Sequence, residues 1–158
     1  MTQSVKNDES ASFVVLRCNR RLCALPVAQV SETMRCQPID PMPDMPAFLL
    51  GVAIIRGLVV SVVDLACVLG AGKSSRHRRF VTIKLGTRRI AFAVDEVIGV
   101  RRLLLDATAK TPPLLGLAEA GVIDAMKTLD AELILVLQAA HLIADALWES
   151  IEHRDSRA

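Results

Sequence analysis

Tyrosine is missing from this 158-residue chain, and four Phe and one Trp bring the aromatic share to only 3%. That is a thin supply for any surface that binds bases or sugars by stacking them on rings. Long apolar runs are missing too. The longest stretch without Asp, Glu, Lys or Arg is residues 133–144, 12 in all, against the roughly 20 needed to cross a bilayer as a helix. The opening MTQSVKNDESAS has no apolar core of the kind a secretory signal needs, so the cytoplasm is the expected compartment, with no direct membrane insertion. A net charge of +2 selects no partner by itself.

Catalytic and metal-binding patterns are equally scarce. Cys18, Cys23, Cys36 and Cys67 show no CxxC spacing, which reads as reduced thiols used as small buried hydrophobes rather than as metal ligands. His77, His141 and His153 are scattered, and none sits beside a nucleophile. The run VVSVVDL followed by GAGKSS invites comparison with a phosphate-binding loop. That loop needs glycine five positions before the Gly-Lys pair, where Cys67 stands, and the residues that follow read as a linker rather than a helix. Asp64 and the pair Asp95-Glu96 could act as acid and base, but each follows an apolar strand. For Asp64 a helix cap over Leu65 to Leu69 is the simpler role. No enzyme, cofactor or metal is expected.

What the chain does contain is ample core material, 52% hydrophobic against 23% charged, and an internal repeat. At a shift of 67 residues Phe13-Val14 meets Phe80-Val81, Arg21 meets Arg88, Ala24 meets Ala91, Val30 meets Val97 and Arg35 meets Arg102. At a shift of 74, IIRGLVVSVVDLACVL from Ile54 lies over TLDAELILVLQAAHLI from Thr128. Two copies of one supersecondary unit must each bury an apolar face, alone or against the other.

Within each copy the pattern is of short strands. Phe13 to Leu16 and Leu22 to Leu25 flank the polar Cys18-Asn19-Arg20-Arg21, and FVTIKLGTRRIAFAV repeats this around Gly86-Thr87. A second hairpin turns at Arg56-Gly57, with its counterpart at Asp130-Ala131. The runs Leu58 to Val63 and Leu133 to Leu137 are nearly all apolar, as in strands covered on both faces. Pro38, Pro41, Pro43 and Pro46 make the segment between β-hairpins an extended surface connection, and Pro112-Pro113 sits comparably in the second copy. Ala139, Leu142, Ile143, Ala146, Leu147 and Ile151 recur at helical spacing. The expected plan is a polar tail over 1–12, a first lobe over 13–79, a second over 80–138 and a closing helix over 139–153. The basic run Lys73 to Arg79 falls at the junction. It reads as a solvated linker, or in a small β-barrel nucleic-acid binder as a phosphate contact that lacks accompanying rings.

Phe13-Val-Val-Leu, Ala24-Leu-Pro, Val30, Glu32, Pro46-Ala-Phe, the pattern GVxxxRGxxVxxVDL from Gly51 to Leu65, and Val94-Asp-Glu-Val together resemble the CheW family of chemotaxis coupling proteins, from about Phe13 to Ile143. The resemblance implies an all-β fold, two SH3-like five-stranded β-barrels side by side, with short helical turns and a C-terminal helix. It further implies a scaffold without catalysis that joins the regulatory domain of a CheA-type histidine kinase to the cytoplasmic tip of chemoreceptors. Val30, Glu32, Gly51 and Arg56 are the positions matching the family's receptor-binding residues. Physically, Val30 and Gly51 suit a floor that a helix can approach, and a forked Arg56 guanidinium suits a carboxylate. Val30 as plain core, Gly51 as a turn, and Glu32 with Arg56 as an ordinary surface pair are the alternatives. Ile54, Ala125, Ala131 and Gln138 depart from the family's usual Asn, Gly, Gly and Asp or Asn, so the first copy is the better match.

Overall fold

A computed structural model describes residues 10–72, 77–104, 123–129 and 132–137. Among them are ten strands: β1 Ser10–Cys18, β2 Arg21–Pro26, β3 Val30–Arg35, β4 Leu49–Ile55, β5 Leu58–Asp64, β6 Arg79–Leu85, β7 Arg88–Val94, β8 Glu96–Leu104, β9 Ile123–Leu129 and β10 Glu132–Leu137. The fold is all-β, and the described residues include one short helix, α1 Leu65–Val68, and one 3-10 turn, Val27–Gln29. The hairpins turn where the sequence places them. Asn19 (φ 55°) and Gly86 (φ 63°) hold the same left-handed backbone at positions one repeat apart, and Arg56 (φ 50°) precedes Gly57 (φ 77°). Asn tolerates this conformation and glycine adopts it freely, whereas Arg56 takes it as the first of two left-handed residues in the tight turn between β4 and β5. Asp64 caps α1, accepting a hydrogen bond from the Cys67 amide, as its position after a strand predicts. The closing helix over 139–153 and the Asp130-Ala131 turn lie outside the described residues.

The strands form two five-stranded sheets, ordered β8-β1-β2-β10-β9 and β3-β6-β7-β5-β4. The first copy of the repeat comprises β1–β5 and the second β6–β10. Exchanging each strand for its counterpart converts one order into the other. Each sheet therefore takes its inner hairpin from one copy and its other three strands from the other copy. Membership in a sheet does not follow the expected division into 13–79 and 80–138. After β2 the chain passes through Pro26 and the 3-10 turn, and β3 leaves the sheet of β1 and β2 to pair with β6. β8 makes the matching departure from β7 across the single residue Asp95 and pairs with β1. The crossing is completed by two parallel pairings, β5 with β7 and β10 with β2, which no tight turn could connect.

Register confirms the repeat residue by residue. Phe13 faces Pro26, and Phe80 faces Ala93; Ser61 lies beside Ile90, and Leu135 beside Cys23. Even the irregularities are duplicated. Ladders slip between Val30 and Glu32 and between Leu49 and Gly51 in one sheet, and at the matching places opposite Val15/Leu16 and Val136/Leu137 in the other.

Three apolar clusters fill this frame. Phe13, Val15, Leu22, Ala24, Ile134 and Val136 cluster on one face of the first sheet. Ala53, Ile55, Val60, Val62, Phe80 and Ala91 do so on one face of the second. The alternate residues of the same strands, among them Val14, Leu16, Leu25, Val63, Val81, Phe92 and Leu135, form a central core shared by both sheets. Strands buried on both faces need apolar side chains at successive positions, which explains their unbroken runs. The expected double burial holds for Val60 to Val63 and Ile134 to Leu137. It fails at Leu58, Val59 and Leu133, which lie next to the hairpin turns and are about half exposed.

At the edge of the second sheet the proline-rich segment folds back onto β4. Asp40 and Val52 exchange backbone hydrogen bonds of 2.8 and 3.0 Å. This places the Asp40 carbonyl where a side chain on Gly51 (φ 145°) would begin.

Three outcomes follow from this packing. Val62 is fully buried, so Val62→Asp sets an unpaired charge in an apolar interior and should abolish the cooperative melt. Gly51→Ala must displace the backbone at Asp40 or strain its own, and should cost about 2 kcal/mol or more in urea unfolding. Ser10 to Ser12, expected in the polar tail, pair with Leu104 to Arg102 of β8. Removal of residues 1–12 should therefore lower the melting temperature, whereas removal of 1–9 leaves every described strand whole and should not.

Candidate protein-binding site

The slip in β3 makes Ser31 the extra residue of a β-bulge, and bulges re-aim the side chains beside them. Thr82 on β6 anchors this one. Its Oγ1 accepts from the Glu32 amide at 3.1 Å and donates to the Glu32 carbonyl at 3.2 Å. Both backbone groups freed by the bulge are thus satisfied by one hydroxyl.

The Glu32 side chain meets Arg56 at the turn between β4 and β5. Arg56 Nε lies 3.0 and 2.9 Å from the two carboxylate oxygens, and Nη2 lies 2.9 Å from Oε2. The pair spans the sheet. β3 is one edge of the sheet and Arg56 leads out of β4, the other edge, so two long side chains link the two sides of the sheet. Glu32 raises the pKa of the guanidinium further, by hydrogen bonding and by its charge. The Arg56 side chain is 78% exposed and that of Glu32 28%, so the arginine stands over its partner with donors still free to face solvent. Screening keeps the contribution of such a pair to stability small.

The two other positions singled out by sequence lie apart from this pair. Val30 sits two residues from Glu32, but its half-buried side chain packs on the central core. Gly51 is buried at the far end of β4, beneath Asp40. Glu32 and Arg56 are brought together, while Val30 and Gly51 support the strands that carry them.

Beside the ion pair is an open pocket of about 80 Å³, lined among others by Ile55, Leu58, Thr82, Lys84 and Arg89. Small-molecule sites are usually about 300–1,000 Å³, so this one suits a side chain offered by another protein better than a metabolite. Lys84 and Arg89 were not singled out by sequence, although the charged hairpin KLGTRR carries them. Thr82 gave no signal, because its role depends on a bulge in a strand 50 residues away.

The described thiols and carboxylates elsewhere serve structure. Cys18 and Cys23 are fully buried. The Cys18 pKa is pushed far up by hydrogen bonding to Cys23, by burial, and by the charges of Cys23, Asp95 and Asp64, so it stays protonated. Burial also raises Cys36, with Arg79 opposing. Asp64 is fully buried with His77 Nε2 3.3 Å from its second oxygen, and Asp95 receives the Asn19 amide at 2.8 Å. No group of three or more metal-ligating side chains occurs among the described residues, nor any helix long and apolar enough to cross a membrane.

Comparison with known proteins agrees with this architecture. A family model described as a CheW-like domain matches residues 12–147. A probable chemotaxis protein CheW of Rhizobium etli is 25% identical over 154 residues, covering 95% of this chain and 99% of the relative. Protein FrzA of Myxococcus xanthus is 33% identical over 111 residues, 68% of each chain. The crystal structure of the scaffolding protein TtCheW from Thermoanaerobacter tengcongensis superposes with a TM-score of 0.71 at 20% identity, covering 91% of this chain and 94% of that one, and so shares the fold. By the family match across most of its length, and by the duplicated strand plan beneath it, the chain belongs to the CheW-like domain family.

Proposed function

We propose that this protein is a non-catalytic coupling scaffold of chemotaxis-type signalling, holding the regulatory domain of a CheA-type histidine kinase to the cytoplasmic tips of chemoreceptors. It would work in the cytoplasm, drawn to receptor arrays at the inner membrane. The observation that carries this reading is the CheW-like match over residues 12–147. Two features of the surface support it. Arg56 projects beside a small open pocket with Leu58 at its margin, which suits a helical tip that offers polar and apolar side chains together. The β4–β5 hairpin also exposes the cross-strand pair Ile54 and Val59, 67% and 47% accessible. An apolar pair on an edge hairpin suits stacking on another β-sheet protein, as a kinase regulatory domain of related fold would require.

Receptor and kinase contacts are thereby assigned to different surfaces, and Arg56→Glu separates them. The substitution sets a carboxylate against Glu32 at an exposed position, so the melting temperature should stay within about 2 °C of wild type. Affinity for a receptor-tip fragment should fall by about tenfold or more, because the guanidinium is replaced by a repelling charge. Affinity for the kinase regulatory domain should be kept. Paired titrations of both proteins against both partners, with melts alongside, measure this. Equal receptor affinity would remove Arg56 from the site, and a kinase domain that never binds wild type would remove the coupling role.

A further inference from the structure

Lys84 and Arg89 are direct partners across the β6–β7 hairpin, and both are exposed. By strand alternation they stand on the face of the sheet that carries Phe80 and Ala91, at the open end of its apolar cluster. Like charges directly opposite one another destabilise a hairpin. Neither has a carboxylate partner among the described residues. Among the described residues Glu32 is the only acid lining the pocket, and its carboxylate is already held by Arg56 through three close contacts.

The other sheet shows how the same place is treated when it is neutralised internally. Lys84 corresponds to Arg17 at the shift of 67, and Leu58 corresponds to Glu132 at the shift of 74. Arg17 lies 3.4 Å from Glu132 and 3.9 Å from Glu96, so two acids of the chain itself serve one cation. In the second sheet the counterpart of Glu132 is a leucine, and the counterpart of the apolar Leu22 is a second cation, Arg89. The first sheet closes its rim with charges drawn from both copies; the second leaves an excess of two positive charges around a half-exposed leucine.

We infer that the rim formed by Lys84, Arg89 and Arg56 is a seat for a carboxylate side chain presented by the helical tip of the receptor. This specifies the chemistry of the partner and rests on the receptor-coupling role proposed above. The size of the pocket suits a single side-chain head, and Leu58 provides apolar contact for the methylenes behind it. Glu32 within the rim disfavours a polyphosphate backbone, whose successive charges it would repel. A carboxylate meeting three cations relieves the Lys84–Arg89 repulsion, which the free protein carries without compensation.

The test uses the full chain, a cytoplasmic hairpin-tip fragment of a chemoreceptor from the same organism, and the Lys84→Gln/Arg89→Gln double variant. At low salt the variant should bind the tip about tenfold more weakly than wild type. Its affinity should also fall less steeply as salt is raised, since fewer exposed charges remain to be screened. Melting temperature and binding to the kinase domain should be unchanged; a parallel loss of kinase binding would mean a general effect and overturn the inference. Equal tip affinity and equal salt dependence for the two proteins would overturn the carboxylate seat while leaving receptor coupling intact. A wild type that binds no receptor tip would overturn receptor coupling itself, and the seat with it. Finally, single Asp→Lys and Glu→Lys changes along the tip should include one that restores binding to a Lys84→Glu/Arg89→Glu variant. Restoration at none of them would refute a specific carboxylate contact.

Discussion

The parallel pairings of β5 with β7 and of β10 with β2 hold the two copies of the repeat together. A parallel neighbour cannot be reached by a tight turn, so each pairing commits a long stretch of chain before it forms. Once formed, each copy's inner hairpin is locked among the strands of the other, and neither sheet is complete without both. The side chains at these junctions, among them Val62, Ala91, Phe92 and Leu135, are nearly or wholly buried. Fully burying a Val, Leu or Phe side chain is worth about 1.5–3 kcal/mol. The exchange therefore couples the sheets energetically, and a defect at Val62 is felt across the whole fold rather than in one half.

Double-sided burial also limits where function can reside. Strands that face a sheet's own cluster on one side and the shared core on the other have no free face near their middles. Turns, bulges, edge hairpins and the open ends of the apolar clusters are what remain for partners. The Glu32–Arg56 pair occupies two of these at once, a bulge and a turn. Divergence between the copies is concentrated in the same places. Arg17 with Glu132 and Glu96 forms a closed set of charges at one end of the first sheet, whereas Lys84 and Arg89 are left facing outward at the matching end of the second.

Glu32 and Arg56 could be singled out along the chain because both belong to a pattern of residue types shared with CheW-like proteins, and the structure shows them as the surface ion pair that was the alternative reading. An ion pair with one member 78% exposed can be both a structural contact and a presented charge. Thr82 was invisible for a physical reason: a hydroxyl in a strand has no distinguishing pattern until a bulge 50 residues away supplies the groups it binds. Gly51 was legible as a glycine with a purpose. That the purpose is to admit the backbone at Asp40 depends on how the four-proline segment folds back, which spacing does not encode.

The sequence by itself determined the strand-rich architecture, the duplication and the hairpin turns, because alternation, apolar runs and turn residues act over a few positions and leave a local record. It determined the register of the second copy from the first as well, since a repeat at shifts of 67 and 74 carries its pairing with it. Only the tertiary structure decided which copy's hairpin joins which sheet. The exchange depends on contacts between residues far apart in the chain, the parallel pairings of β5 with β7 and of β10 with β2 and the departures of β3 and β8 to the opposite sheet, which leave no local record. The charged rim was decided at that level too. Lys84, Arg89 and Arg56 come from a hairpin of the second copy and a turn of the first, and they stand together only because the copies exchange strands.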